Sequence, residues 1–264
     1  MRTLRTQILP ALMLTLVLAL LLGIAYPVAV WGIGQLGFKD RVNGSFVTRK
    51  GVTVGSSLLG QSFSDKDGNP IVKYFQPRPS NAGTGYDAMA SGGSNLGPSN
   101  AKLIGNVPGV VVGDNGRPIT TNVYATKADP YCVPVQATDK DGNDVTDAAG
   151  NAVYEKNKDG SYVCNPDTVP ERVLAYRTLN GLAATVKVPA DAVTSSASGL
   201  DPQISVANAR LQAARVAGAR HLSLTQVTSL IAAHTQGRQL GVLGEQTVNV
   251  LELNLALDGI PPAS

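Results

Sequence analysis

The chain has 264 residues, of which 43% are hydrophobic and only 5% aromatic, with a formal net charge of +3 and two cysteines. That length supports one or two domains with a buried core. The small charge surplus and the absence of basic runs or of RNP, zinc-finger and helix-turn-helix patterns argue against nucleic acid as a partner.

The N-terminus carries the strongest physical signal. Residues 8–34 read ILPALMLTLVLALLLGIAYPVAVWGIG, and no charged residue occurs from Thr6 to Phe38. As a helix this run is about 40 Å long, more than the ~30 Å hydrocarbon core of a bilayer, so it can span with some tilt. Tyr26 and Trp31 lie toward its C-terminal end, where an interfacial belt would place them. Pro10 is cheap in the first turn, whereas Pro27 should kink or end the buried part. A cleaved signal peptide is the alternative. It would have a shorter apolar stretch and a small-x-small site, which Pro27 spoils between Ala25 and Ala29.

Orientation does not follow from charge. Arg2 and Arg5 flank one side of the run, and Lys39, Arg41, Arg49 and Lys50 follow the other. Cys132 and Cys164 flank an acidic, loop-rich stretch, as a disulfide would, which points to an oxidising compartment; two unpaired thiols are the alternative. The expected organisation is a short cytoplasmic tail (1–7), a transmembrane helix (8–34) and an extracytoplasmic domain (35–264).

Beyond the anchor, Gly51 to Phe63 reads as two short strands with glycine punctuation. Asp67-Gly68-Asn69-Pro70 is a turn, and Ile71 to Phe75 an extended segment. Gln76-Pro77-Arg78-Pro79-Ser80 is excluded from helix, because each proline biases its predecessor away from the α region. The stretch YDAMASGGSNLGPSN (86–100) is rich in glycine and serine, and Pro98 can start a helix running into Leu103 and Ile104. From 107 to 170 turn pairs crowd between short β-prone pieces, which reads as a β-hairpin-rich insert. Asp139-Lys140-Asp141-Gly142 invites a calcium reading, but its glycine stands at position four instead of six, so a plain turn is expected.

Glu171 to Leu182 is helical, and Ser205 opens a helix over VANARLQAARVAGAR with Val206, Ala209, Ala213 and Val216 on one stripe. Ser223 and Gln226 form a capping box before LTQVTSLIAAHT, where Leu224, Val227, Ile231 and His234 fall near one face. The tail VNVLELNLALD (248–258) alternates like a strand. Asn249 with Glu252 three residues on imitates an N-cap pair, which favours a helix from Val250.

Catalytic signatures are absent. Gly92-Gly93-Ser94-Asn95-Leu96 fails as a nucleophile elbow at its last position, and the chain has two histidines. No lysine follows a glycine run as in a Walker motif, and no histidine or cysteine pairs suit a metal. Nothing in the spacing positions two carboxylates together. Ser91–Asn95 therefore reads first as a tight backbone crossing, with anion binding by its amides as the alternative.

Six ordered motifs carry a resemblance: GSSLLGQSF (55–63), YFQPRPS (74–80), YDAMASGGSNLGPSN (86–100), VPADAVTSSASGLDPQIS (188–205), RVAGAR (215–220) and LGVLGEQTVNVLELNLALD (240–258). With the anchor, they make the chain similar to the KdpC family, the small C chain of the high-affinity potassium-transporting P-type ATPase. Two departures stand out. The 107–170 insert exceeds what shorter members carry, and Gln246 stands where many have proline.

The resemblance implies a non-catalytic subunit of the cell membrane. It implies three partners: a channel-like potassium-binding subunit, an ATP-hydrolysing subunit and a very small single-span subunit. It also implies potassium as the transported ion and a role as a catalytic chaperone that raises the ATP affinity of the hydrolysing subunit. Ser91–Ser94 resembles the nucleotide-contacting signature of ABC transporters, but Ser94 stands where glutamine is expected, so no directly bound cofactor is assigned. A membrane-tethered sensor or binding module is the competing reading. On the first reading, Arg78, Ser80, Ser91, Gly92, Gly93, Ser94, Asn95, Ser198, Gly199 and Asp201 form one face of rigid loops that packs internally and docks on the potassium-binding subunit. The whole is an α+β chain: one transmembrane helix, then a mixed α/β extracytoplasmic domain with a disulfide-pinned insert.

Overall fold

The computed structural model describes residues 2–97, 103, 111–112, 118–119, 135–150, 152–161, 163 and 167–259. The expected pairing of Cys132 with Cys164 lies outside these residues, as does the helix expected from Pro98 except for Leu103. The chain divides into two units, residues 1–58 and 59–264.

In the first unit, helices α1 (Arg2–Leu20) and α2 (Tyr26–Gly37) are joined by a π-helical turn, Leu21–Ala25. Residues Thr6–Gly37 make one helical rod with mean hydropathy 2.7, long and apolar enough to cross a membrane. Pro27 has no N–H to donate and its ring crowds the carbonyl four residues back. The chain answers by widening the preceding turn, with the Tyr26 N–H reaching the Leu21 carbonyl. The proline thus does not end the helix.

A short helix α3 (Lys39–Val42) follows, and then strands β1 (Phe46–Arg49) and β2 (Val52–Ser56) pair antiparallel. Lys50 and Gly51 join them with positive φ of 50° and 81°, as a two-residue hairpin turn requires. The hairpin therefore begins before Gly51, where the sequence placed its first strand, and no strand continues to Phe63.

The second unit is built on a three-stranded antiparallel sheet of order β5 (Gln203–Ser205), β7 (Thr247–Asn249), β6 (Thr235–Gln236). Its strands are short because two of them run straight into helices. Ser205 ends β5 and caps α5 (Val206–Arg220), its hydroxyl accepting from the Asn208 N–H at 3.1 Å. Asn249 ends β7 and caps α7 (Val250–Leu257), accepting from the Glu252 N–H at 3.1 Å. The tail is thus a helix preceded by one short strand. Ile204 and Val248, paired across the sheet, are both fully buried.

Helix α6 (Leu224–Ala233) carries the expected capping box, with the Gln226 N–H on the Ser223 hydroxyl and the Ser223 N–H on Gln226 Oε1. Val227 and Ile231 enter the core with Ala209, Ala213, Val216, Leu253 and Leu257, but Leu224 stays in water. Helix α4 (Val169–Asn180) starts two residues earlier than expected, at the Thr168 cap, and closes on Gly181 in the left-handed region.

Residues 71–77 cross this core without joining the sheet. Ile71 to Tyr74 is a turn, with the Tyr74 N–H on the Ile71 carbonyl at 3.0 Å, so Ile71 to Phe75 is not the continuous extended segment its β-prone residues suggest. Two side-chain amides replace a neighbouring strand. Asn254 accepts from the Phe75 N–H (2.9 Å) and donates to the Phe75 carbonyl (3.0 Å). Gln212 accepts from the Gln76 N–H (2.7 Å) and donates to the Gln76 carbonyl (3.0 Å). Arg215 adds bonds to the carbonyls of Val72 and Tyr74. Burial pulls its guanidinium down to about 10.

Within 135–163 the described backbone closes into two triangles of hydrogen bonds. Ala137 donates to Val153, Val153 to Val145 and Val145 to Ala137, at 2.8, 3.0 and 2.9 Å. Val135, Val163 and Glu155 repeat the pattern, Val135 donating to Val163, Val163 to Glu155 and Glu155 to Val135. Asp139 Oδ1 accepts from the N–H groups of Asp141 and Asn143, both at 2.9 Å, which is the use a turn makes of such an aspartate. The same five residues, Asp-Lys-Asp-Gly-Asn, occur at 65–69 with the same bonds from Asp67 and Asn69 to Asp65. Pro118 and Ile119 (β4) pair with Val112 and Val111 (β3).

Asn254→Ala should destabilise the second unit by about 2–4 kcal/mol, since it leaves two buried backbone groups without partners. Urea unfolding of the full chain in detergent measures this. A loss below about 0.5 kcal/mol would show that the amide clamp does not hold the crossing segment.

Candidate functional site

The crossing segment delivers Pro77-Arg78-Pro79-Ser80 to the loops 86–95 and 194–201. Arg78 reaches 116 residues down the chain: its Nε–H donates to the Thr194 carbonyl (3.4 Å) and Nη2 to that of Ser195 (3.3 Å). Its Nη1 pairs with Asp201 at 3.1 Å, with both side chains about three-quarters shielded from water. Asp201 also accepts from the Gln203 N–H at 2.9 Å, fixing the entry to β5. Lysine could not make this fork.

Ser80 is a second hub. Its hydroxyl donates to the Gly199 carbonyl at 2.6 Å and accepts from the N–H groups of Ala82 (3.2 Å) and Tyr86 (2.8 Å). With its hydrogen committed to a carbonyl, it is not set up as a nucleophile. The Gly92 N–H and the Ser91 hydroxyl both donate to the Ser198 carbonyl, at 2.9 Å each. The expected set is therefore drawn together around Arg78 and Ser80, except for Ser94 and Asn95. Ser94 accepts within its own loop, from the Leu96 N–H at 3.4 Å, and Asn95 takes a positive φ of 54° at the surface.

The tight crossing is real but narrower than the motif. A Cβ on Gly93 would come within 2.9 Å of the Ala197 carbonyl oxygen. A Cβ on Gly199, which has φ +68°, would come within 2.6 Å of the Gly92 carbonyl oxygen and 2.8 Å of Ala82. On Gly92 it would meet nothing closer than 4.0 Å. Neither Gly92 nor Gly93 has positive φ. The need for glycine at 93 is therefore proximity, and at 199 both proximity and dihedral.

Two participants escaped the sequence reading. Tyr86 donates its hydroxyl to the Arg78 carbonyl at 2.7 Å, and burial pushes its phenol well above the ordinary tyrosine range, with the Asp201 carboxylate adding to the shift. Gly60 donates its N–H to the Leu200 carbonyl at 2.8 Å, where a Cβ would strike the Tyr86 ring and the Asp201 carbonyl. The glycine of GSSLLGQSF was the available signal for this, but nothing local names its distant neighbours.

A cleft of about 700 Å³ lies beside these loops, between Pro77–Ser80 and Tyr86 on one wall and Leu174, Ala175, Thr178 and Leu179 of α4 on the other. Its lining is mostly apolar. Among the described residues no group of three or more histidine, cysteine or acidic side chains could hold a metal. The arrangement is a cluster of loops whose carbonyls and hydroxyls are largely engaged with one another.

Gly93→Val and Gly199→Val should each cost about 3 kcal/mol or more, while Gly92→Ala should stay within about 1 kcal/mol. Thermal unfolding of the three full-length variants tests the order. Equal melting of Gly92→Ala and Gly199→Val chains would refute the crossing.

The family described as "KdpC: K+-transporting ATPase, c chain" matches residues 8–112 and 117–259. A potassium-transporting ATPase KdpC subunit of Mycobacterium bovis is 44% identical over 254 residues, 96% of this chain and 98% of its own length. One from Rhodospirillum rubrum is 40% identical over 258 residues, covering 98% and 96% of the two chains. The KdpC subunit of Koribacter versatilis is 35% identical over 258 residues, 98% and 97%. These matches run through the 107–170 insert, so relatives of similar length share it. The chain belongs to the KdpC family, the c chain of the K+-transporting ATPase.

Proposed function

We propose that this chain is the single-pass accessory subunit of a high-affinity potassium uptake complex, with residues 1–7 in the cytoplasm, 8–34 in the cell membrane and 35–264 outside. The observation that carries the reading is family membership over nearly the whole length, in a chain whose residues Thr6–Gly37 form an uncharged helical rod able to cross a bilayer. The partners are a channel-like potassium-binding subunit, an ATP-hydrolysing subunit and a very small single-span subunit. The loops around Arg78 and Ser80 dock on the potassium-binding subunit through their exposed members, Ser91, Asn95 and Ser198. The 107–170 insert, pinned by Cys132 and Cys164, adds an external contact.

On this topology the domain never meets cytoplasmic ATP. Any rise in the ATP affinity of the hydrolysing subunit is then a coupling carried through the membrane subunits, typically 5–150-fold in such systems. Potassium is the transported ion of the complex, and no cofactor is assigned to this chain.

Deleting the chain should abolish growth at limiting potassium and raise the apparent KM for ATP of the remaining complex by about 5-fold or more. Normal growth without it refutes the function. A membrane-impermeant thiol reagent, applied to reduced cells carrying Cys132 alone, should label it from outside; labelling only after lysis refutes the topology.

A further inference from the structure

We propose that the hairpin between β6 and β7 is a plug that seats Leu240, Val242 and Leu243 in an uncharged apolar pocket of another protein subunit. The inference rests on the assembly proposed above and assigns it a contact separate from the Arg78 loops. Leu240 is 90% exposed, Val242 73% and Leu243 57%. Three large apolar side chains within four residues thus face water on a structured turn.

The turn is held, not loose. Gln239 and Leu243 exchange backbone bonds in both directions, each at 2.9 Å, and Arg238 pairs with Glu245 at 2.8 Å across the base. Gln236 ties the root of the hairpin to Gln203 of β5 at 2.8 Å. Leu240 itself sits at φ +52°, a conformation that costs an L side chain about 1–2 kcal/mol, directly before Gly241, which takes φ +78° freely. The fold accepts backbone strain and exposes apolar surface at one spot. Nothing internal is gained there, so the gain lies in contact with something else. A rigid tip also loses little entropy when it is buried.

The chemistry of the tip selects the occupant. Segments that settle in a bilayer surface pair a face of free basic residues with Trp, Phe or Leu. Residues 237–246 (GRQLGVLGEQ) contain no aromatic residue, and their only cation, Arg238, is engaged with their only anion, Glu245. The tip is neutral, apolar and compact, which matches a protein pocket lined by uncharged side chains. A second copy is the poorer fit. Tip-to-cleft contact between identical chains is head-to-tail and leads to open filaments unless the rotation closes.

The test uses the complete complex, affinity-purified in detergent through the hydrolysing subunit. A photo-reactive benzoylphenylalanine in place of Val242 should give a covalent adduct between this chain and a different subunit. Leu240→Ser with Leu243→Ser should reduce co-purified chain about tenfold without lowering the melting temperature of the isolated chain. Adducts only with lipid or with a second copy, or no adduct in an intact complex, overturn the plug and leave the assembly reading standing. An unsubstituted chain that fails to co-purify at all overturns the assembly reading instead.

Discussion

Among the described residues, the backbone of Phe75 and Gln76 passes through the interior of the second unit with no strand beside it. Buried N–H and C=O groups need partners, and a sheet would ordinarily supply them. Here Asn254 of α7 and Gln212 of α5 supply them from opposite helices, each amide acting as a one-residue imitation of a strand. The crossing segment therefore ties two helices that are also joined at their C-terminal ends by the Arg220–Asp258 ion pair at 2.7 Å. Phe75, fully buried between the clamps, adds about 1.5–3 kcal/mol of burial.

This constraint propagates to the loops. Gln212 is itself satisfied by Arg215 on one side, and its amide shares Asn208 Oδ1 with the Tyr176 hydroxyl on the other. Asn208 in turn donates to Asp191, which also receives the Ser205 N–H and hydroxyl. One hydrogen-bonded chain thus runs from the crossing segment to the cap of α5. Where Gln76 ends, Pro77 and Pro79 stiffen the exit and aim Arg78 at residues 194–201. The loop cluster is stiff because its root is fixed, and its polar groups are mostly spent on one another.

What the sequence disclosed divides along the range of the interactions. Caps were legible because a cap is local: Ser205, Ser223 and Asn249 each announce themselves by residue type and by a polar partner three positions on. The clamps were not legible. Gln212 and Asn254 stand on buried helix faces, where an amide reads as a break in the apolar stripe until its distant partner is known. Ile71 to Tyr74 fold as a turn despite their β-prone composition, and only the Phe75 and Gln76 backbones beyond it are held by the two amides. The start of the first hairpin was missed since Lys50, an unusual residue for a positive φ, occupies the turn. In the glycine-serine stretch, the motif was visible as a crossing, but which glycine is obligatory depends on Ala197 and Ala82, far off in sequence.

A subunit of this build influences its neighbours only through the difference between its contacts with their alternative states. A soft loop cluster would follow a moving partner and contribute equally to every state. Loops rooted on the Gln212 and Asn254 clamps cannot follow, so a partner that moves against them gains or loses contact free energy. On the proposed topology, rigidity at the Arg78 fork and neutrality at the Leu240 tip serve one end. If the proposed docking and plug hold, the first makes the subunit selective among conformations, and the second keeps it seated while it selects.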